Sequence, residues 1–340
     1  MKKIKYILLL ILSMSLHSCF PDDIAVSPHS LGDSKIGSVE MTKFYSNQLY
    51  FNLNSNTVVK QNVLTEWDLG FECSPDGFHI VLNHAKIMSI AHTNITVFNE
   101  ITNYVSLKFK YEGSEGYLDS TAIGNWWTNE NGKILSKNEV MIVNRGTSDK
   151  GRAVGYKKIQ LLDFTNAYLI KYANLDGSEE STLSIPKNSE LIFQSFTFES
   201  GGRIVDIEPK ALDWDIVFTR YTQFFNEVGY ETYSVIGVFI NTKYVSVSAD
   251  STYTKKFEEI KITDVPSYIF TNKRDAIGYD WKKYKFDAES YAIDSKKIYL
   301  IKISHSIGEV KYYKMRFTDF YKNVNGKLEK GYPKFEFLPL

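Results

Sequence analysis

Apolar and polar positions alternate with a period of two in short bursts along this chain. Trp67, Leu69, Phe71 and Cys73 share one parity while Asp68, Gly70 and Glu72 share the other, the pattern of a strand with one buried face. Ile301, Ile303 and His305 alternate in the same way with Lys302, Ser304 and Ser306, and residues 243–248 and 335–338 are equally short runs of strand formers. Pro333 suits the start of a last or edge strand. Helical signals are thin, the best being KKFEEI at 255–260, less than two turns. Tyr, Phe, Val, Ile and Thr, which fit pleated surfaces, are abundant throughout. The pattern predicts a mainly β fold with few short helices.

Some of these bursts are written twice. EWDLGF at 66–71 and DWDIVF at 213–218 set Trp67 and Trp214 147 positions apart. A propeller of Trp-Asp repeats would recur every 40–45 residues or so and several times over, which this spacing excludes. Phe51 and Phe198 each stand 16 positions before their Trp, IGNWW at 123–127 answers IGYDW at 277–281, and GYKKIQLLDF at 155–164 answers KYYKMRFTDF at 311–320. FNEI at 98–101 and FEEI at 257–260 form a looser pair. Insertions in loops account for the growing offset. The repeats predict two tandem β-rich modules, 41–176 and 187–340, with DGSEES at 176–181 as a linker. Trp127 and Trp281 are the expected core anchors. Asp68 and Asp215, each following a Trp within a strand, are expected to accept backbone N–H groups and not to catalyse.

The start of the chain has a different composition. Lys2, Lys3 and Lys5 precede an apolar run from Tyr6 to Leu16, shorter than the ~20 residues that span a bilayer and typical of a signal peptide. Leu16-His17-Ser18-Cys19 resembles the lipobox of bacterial lipoproteins, although His17 departs from the small residue usual there. This gives a signal peptide at 1–18, a lipidated Cys19 as first mature residue, and a tether at 19–40 rich in Pro, Ser and Gly. Asp22 and Asp23 resemble the acidic signal that sends Bacteroidetes-type lipoproteins to the outer face of the outer membrane. With Cys19 lipidated, Cys73 has no intramolecular disulfide partner, and its parity predicts an inert core thiol. Charge is balanced at 40 basic against 40 acidic residues, so no global field favours nucleic acid. His-Glu-x-x-His, phosphate-loop, Gly-x-Ser-x-Gly and zinc-spaced cysteine motifs are absent, and a non-enzyme is expected.

Taken in order, the lipoprotein signal, the Trp-Asp-aliphatic-x-Phe strand, the Ile-Gly-x-x-Trp segment, the KYYKMRFTDF strand and the closing PKFEF resemble the HmuY family of Bacteroidetes lipoproteins. The resemblance covers most of 45–340, read as two copies. It implies a β-rich fold and a protein that takes heme from host carriers and passes it to an outer-membrane transporter. It also implies heme held noncovalently between loops by two axial His or Met side chains. Three of the five mature histidines, His79, His84 and His92, fall with Met88 in GFHIVLNHAKIMSIAHTN at 77–94. His84 and His92 are the preferred ligands, because their even spacing lets two strands of a hairpin aim both to one side; His79 and Met88 are substitutes. Ligation needs neutral imidazole, so binding should weaken below about pH 6.5. At the same register the second copy has Asn226, Glu231 and Phe239, with Tyr221, Tyr230 and Tyr233 nearby, so heme is expected to bind once, in module one or between modules. The rival reading is a surface module in which some of the 23 Tyr, 22 Phe and five Trp present platforms to a glycan or a partner protein. Replacing Cys19 by Ala is expected to abolish acyl labelling of the protein; labelling that persists unchanged would refute the lipid site.

Overall fold

A computed structural model describes residues 34–340 except 165, 226–230 and 307; the signal peptide, Cys19, His29 and Tyr230 lie outside the described residues. The short apolar runs become strands. In chain order they are β1 (Lys35–Ser38), β2 (Asn47–Asn52), β3 (Thr57–Val63), β4 (Leu69–Glu72), β5 (Ile80–Leu82), β6 (Ser89–His92), β7 (Lys110–Tyr111) and β8 (Trp127–Glu130). There follow β9 (Lys133–Ser136), β10 (Val140–Asn144), β11 (Tyr156–Phe164), β12 (Ala167–Ala173), β13 (Ser181–Pro186), β14 (Phe193–Thr197) and β15 (Arg203–Val205). The last are β16 (Ile216–Phe225), β17 (Glu231–Ile240), β18 (Val245–Asp250), β19 (Lys282–Lys285), β20 (Ser290–Ile293), β21 (Ile298–Ser306), β22 (Glu309–Val324) and β23 (Lys327–Pro339). Strand accounts for 49% and helix for 7%, so the fold is mainly β as the alternation predicts.

Four antiparallel sheets carry the cores. In the first half, a sheet ordered β13-β12-β11-β10-β6-β7 faces one ordered β15-β14-β4-β5, over a core that includes Leu69, Phe71, Ile90, Met141, Tyr168 and Phe196. In the second half, β1-β23-β22-β21-β18 faces β17-β16-β2-β3, over Phe51, Phe218, Trp281, Phe317, Phe335 and Phe337.

Hydrogen bonding does not follow the boundaries 41–176 and 187–340. β1 pairs with β23 and β2 with β16, so the first three strands complete the second half. β13 pairs with β12 and β14 with β4, so β13, just before residue 187, and β14 and β15, which open the second repeat, complete the first half. Residues 176–181, read from composition as a linker, close the β12–β13 hairpin. There the Asn174 N–H donates to Ser178 O at 2.9 Å, and Lys171 pairs with Glu180 at 2.9 Å. A polar turn and a polar linker have the same composition, and only the pairing distinguishes them.

The repeat recurs in three dimensions. Lys158 Nζ donates to the carbonyls of Phe98 and Ile101, and Lys314 Nζ to those of Phe257 and Ile260, so the two FxEI phrases wrap matching buried ammonium groups. Asn83 Nδ2 bonds the carbonyls of Leu64 and Trp67, and Asn241 Nδ2 those of Ala211 and Trp214. Trp281 is buried and stacks on Phe317 at 3.9 Å. In the first copy the buried indole is Trp126, which donates to Phe78 O at 2.8 Å, while Trp127 is only partly covered. β4 is buried on both faces and not one: Leu69 and Phe71 enter the core, and on the other side a Cβ at Gly70 would come within 2.9 Å of Val81 and 3.3 Å of Phe193. Cys73 is buried, and burial pushes its thiol up, as an inert role requires.

Residues 34–64 contribute Val39, Met41, Leu49, Phe51 and Leu53 to the second core. At about 1.5–3 kcal/mol for each buried side chain that is on the order of 10 kcal/mol, comparable to the whole stability of a domain. A chain of 65–340 is therefore expected to lose the second half's cooperative unfolding while keeping the first half folded. Lys35 pairs with Phe337, so a short linker should let 34–64 follow residue 340; this permuted chain is expected to restore both transitions in urea denaturation followed by near-ultraviolet circular dichroism.

Candidate functional site

The two Asp residues of the repeated phrase clasp the exchanged strands. Asp68 Oδ2 accepts from Phe198 N at 2.8 Å and from Thr197 Oγ1 at 3.1 Å, at the end of β14. Asp215 Oδ2 accepts from Leu53 N at 2.7 Å, just past β2. Asp68 is 0% exposed and is neutralised by Lys86 and by Arg145 at 3.0 Å. Burial alone would raise its carboxyl, but these two charges and the Phe198 amide hold it below the usual carboxylate range. Among the described residues, the ionic neighbour of Asp215 is His305, at 3.4 Å. Both carboxylates accept backbone N–H groups as expected, but each stands just before its strand, β4 or β16, and not within it.

Beside the first clasp, the halves meet along a seam. Thr222 Oγ1 donates to His84 O and Arg220 Nε to Ala85 O, both at 3.0 Å, and Arg274 N donates to Glu115 O at 2.7 Å. A cavity of about 100 Å3 lies on this seam, walled by residues of both halves that include Tyr50, Trp67, Phe193, Trp214 and Phe239. Its polar lining includes His84, Glu208, Arg220 and Arg274. A neighbouring space of about 240 Å3 shares Ile192, Phe193, Thr242 and Arg274 with it. Glu208 accepts from the Ile192 and Phe193 amides at 2.9 and 3.2 Å, and burial pushes its carboxyl up to about 7. Burial lowers Arg274 to about 10, and it also lowers Arg220.

The four ligand candidates occupy four different settings. His84 begins a short 3-10 turn over 84–86, capped by Asn83 and closed by Ile87 in the left-handed region. It is 7% exposed, lies edge-on to Phe239 at 5.6 Å, and burial, with the nearby Arg274 charge, holds it neutral well below the ordinary histidine range. His92 ends β6, is 39% exposed and pairs with Glu139 at 3.0 Å. His79 is held by Glu72 at 2.6 Å and sits against the Trp127 ring. Met88 is 3% exposed within the first core. No contact among the described residues joins any two of them. The turn at 84–87 breaks the simple hairpin on which the parity argument rested, so His84 faces the second half while His92 faces solvent. Of the second copy's tyrosines, Tyr221 is buried against Phe239 at 4.4 Å and Tyr233 is exposed.

A family model described as HmuY protein matches residues 44–337, most of the chain. The chain belongs to the HmuY family. No curated protein and no solved structure matches. The HmuY match runs through both repeats and includes the exchanged strands β2, β3, β14 and β15 but not β1. Sequence reasoning missed Glu208, Arg220 and Arg274, which carry no local motif; the duplicated Trp was the one available signal, since Trp67 and Trp214 wall the cavity from the two halves.

Asp68→Asn leaves the buried Lys86 without its ion-pair partner and Arg145 with Glu199 alone and is expected to cost about 3–5 kcal/mol, whereas Asp215→Asn should cost about 1 kcal/mol. The difference is read from urea denaturation midpoints. Because the folded Asp68 carboxyl lies below its unfolded value, its contribution is complete above about pH 4 and is lost as pH falls through the folded value. The acid side of the stability profile should therefore flatten in Asp68→Asn.

Proposed function

We propose that this protein is a non-enzymatic binding protein of the cell envelope that holds its ligand in the cleft between its two halves. The observation that carries the reading is the cavity on the seam, where apolar walls from both halves surround a few convergent polar groups. The commitment of Asp68 and Asp215 to strand clasps also supports a binding role. Attachment through lipidated Cys19 would hold the protein at the outer membrane, facing outward, where it would hand its ligand to an outer-membrane transporter.

Membership in the HmuY family makes heme the first ligand to test. His84 supports that choice in that its imidazole is neutral, as an axial ligand must be, and its Nε2 is buried without a hydrogen-bond partner; ligation through Nε2 requires the ring proton to move to Nδ1 and the Arg274 contact there to open. No second His or Met lines the seam cavity with His84 among the described residues. His79 and His92 lie in other settings, each with Nδ1 on a carboxylate, Glu72 or Glu139, and Met88 is sealed in the core. The cavity of about 100 Å3 is also below the ~300–1,000 Å3 of common small-molecule sites. The heme reading thus rests on a single imidazole. The rival reading, an aromatic platform for a glycan or a partner protein, has its own support in the β19–β20 hairpin, where Phe286 is 86% exposed beside Tyr284.

Hemin titration of wild type should give a Soret band that disappears in His84→Ala and persists in His92→Ala. Because burial and Arg274 keep His84 neutral well below the ordinary range, binding should survive below pH 6.5, contrary to the expectation for an unperturbed histidine. Absence of a band in wild type would remove heme and leave the non-heme module as the better account.

A further inference from the structure

The polar lining of the seam cavity is unbalanced. Arg274 Nη2 lies 3.4 Å from His84 Nδ1, and a guanidinium can only donate. Nδ1 is therefore the acceptor, and the neutral ring carries its proton on Nε2. That N–H is buried and has no acceptor among the described residues; the same holds for the Trp67 indole N–H. Arg274 itself is provided for, with Gly113 O at 2.7 Å, Ser114 O at 3.2 Å, the Phe239 ring at 4.8 Å and the charges of Glu112 and Asp275 nearby. Arg220 is not. Its Nε donates to Ala85 O, and among the described residues its terminal nitrogens have no carboxylate within ion-pair distance; Asp149 acts on it only at longer range.

One cavity thus gathers the half-buried guanidinium of Arg220, whose terminal nitrogens have no carboxylate within ion-pair distance among the described residues, and two buried N–H donors without acceptors there, against walls that are mostly apolar. A native interior rarely leaves such groups unpaired without a reason. We propose that the cavity binds a small, predominantly apolar carboxylate, with its carboxylate on Arg220 and the N–H groups of His84 and Trp67, and its body among Tyr50, Phe193 and Phe239. Arginine suits this role because its forked nitrogens match both carboxylate oxygens. A hydrated oxyanion such as phosphate fits less well, since it would exchange its water for apolar walls. The volume favours a compact acid, and the adjoining space beyond Ile192 and Phe193 leaves room for a longer body. The one acidic group on the opposite wall, Glu208, is partly neutral near pH 7 and bonded to two amides, so it opposes the ligand's charge only weakly. This inference rests on the cleft being the ligand site and not on heme being the ligand.

Trp67 and Trp214 wall the cavity, so intrinsic fluorescence of the intact mature protein reports on it. Benzoate, phenylacetate and indole-3-acetate would be titrated at matched ionic strength, with inorganic phosphate for comparison. At least one acid is expected to give a saturable change, weakened tenfold or more by Arg220→Gln and partly restored by Arg220→Lys, with near-ultraviolet circular dichroism unchanged in both variants. No saturable response to any of the three acids, an undiminished response in Arg220→Gln, or equal competition by phosphate would each overturn the proposal. The Soret band with hemin is read separately in the same protein. A Soret band without a carboxylate response removes this proposal alone; a carboxylate response without a Soret band supports it and removes the heme reading alone.

Discussion

Each half of this protein depends on a carboxylate that holds a strand from the other repeat. Asp68 takes the backbone N–H of Phe198 at the end of β14, and Asp215 takes that of Leu53 just past β2. A carboxylate accepting a buried amide satisfies a donor that would otherwise be orphaned where the exchanged strand leaves its sheet. The Trp-Asp phrase is written twice because two such strands must be fixed. The clasps are unequal. Asp68 is neutralised by Lys86 and Arg145, while among the described residues Asp215 meets His305, so the first clasp carries more charge and more risk if one partner is removed.

The exchange also places the cleft. β2 and β16 lie side by side, as do β14 and β4, and Tyr50, Phe193, Trp67 and Trp214 come together where these two strand pairs approach each other. The repeats have kept the scaffold and diverged in chemistry here. Matched Lys158 and Lys314, and matched Asn83 and Asn241, do the same work in both copies. His84, Arg220 and Arg274 have no such counterparts in their roles, and they line the cleft together. A ligand held there would touch both halves and therefore stabilise the interlocked form by mass action.

Much of the fold was legible because its signals are local. Period-two alternation marked the strands, recurring phrases marked the duplication, and the parity of Cys73 and the strand setting of Asp68 and Asp215 marked their structural roles. Strand partners were not legible. β2 and β14 are copies of one another, so either could in principle sit beside β4, and a hydrophobic pattern fixes which face is buried without fixing the neighbour. The polar turn at 176–181 reads as a linker for the same reason: composition reports solvent exposure and not connectivity. The histidines were found, but their grouping was not. His84 and His92 share a parity in sequence, yet the left-handed residue Ile87 between them resets the direction of the chain. The guanidinium groups that answer His84 across the seam come from positions 220 and 274, over a hundred residues away, where no spacing rule reaches.

The first strands of the chain close the second half, and a cross-link tests this most directly. Ile36 and Glu336 are antiparallel partners in β1 and β23, at the separation a disulfide requires, and the only other mature cysteine once Cys19 is removed, Cys73, is buried. In Ile36→Cys/Glu336→Cys, mild oxidation should form an intramolecular disulfide in the monomer, found by mass spectrometry as one linked peptide pair, with thermal stability kept or raised. Absence of that link in folded monomer, or its appearance only between chains, would contradict the interlocked fold.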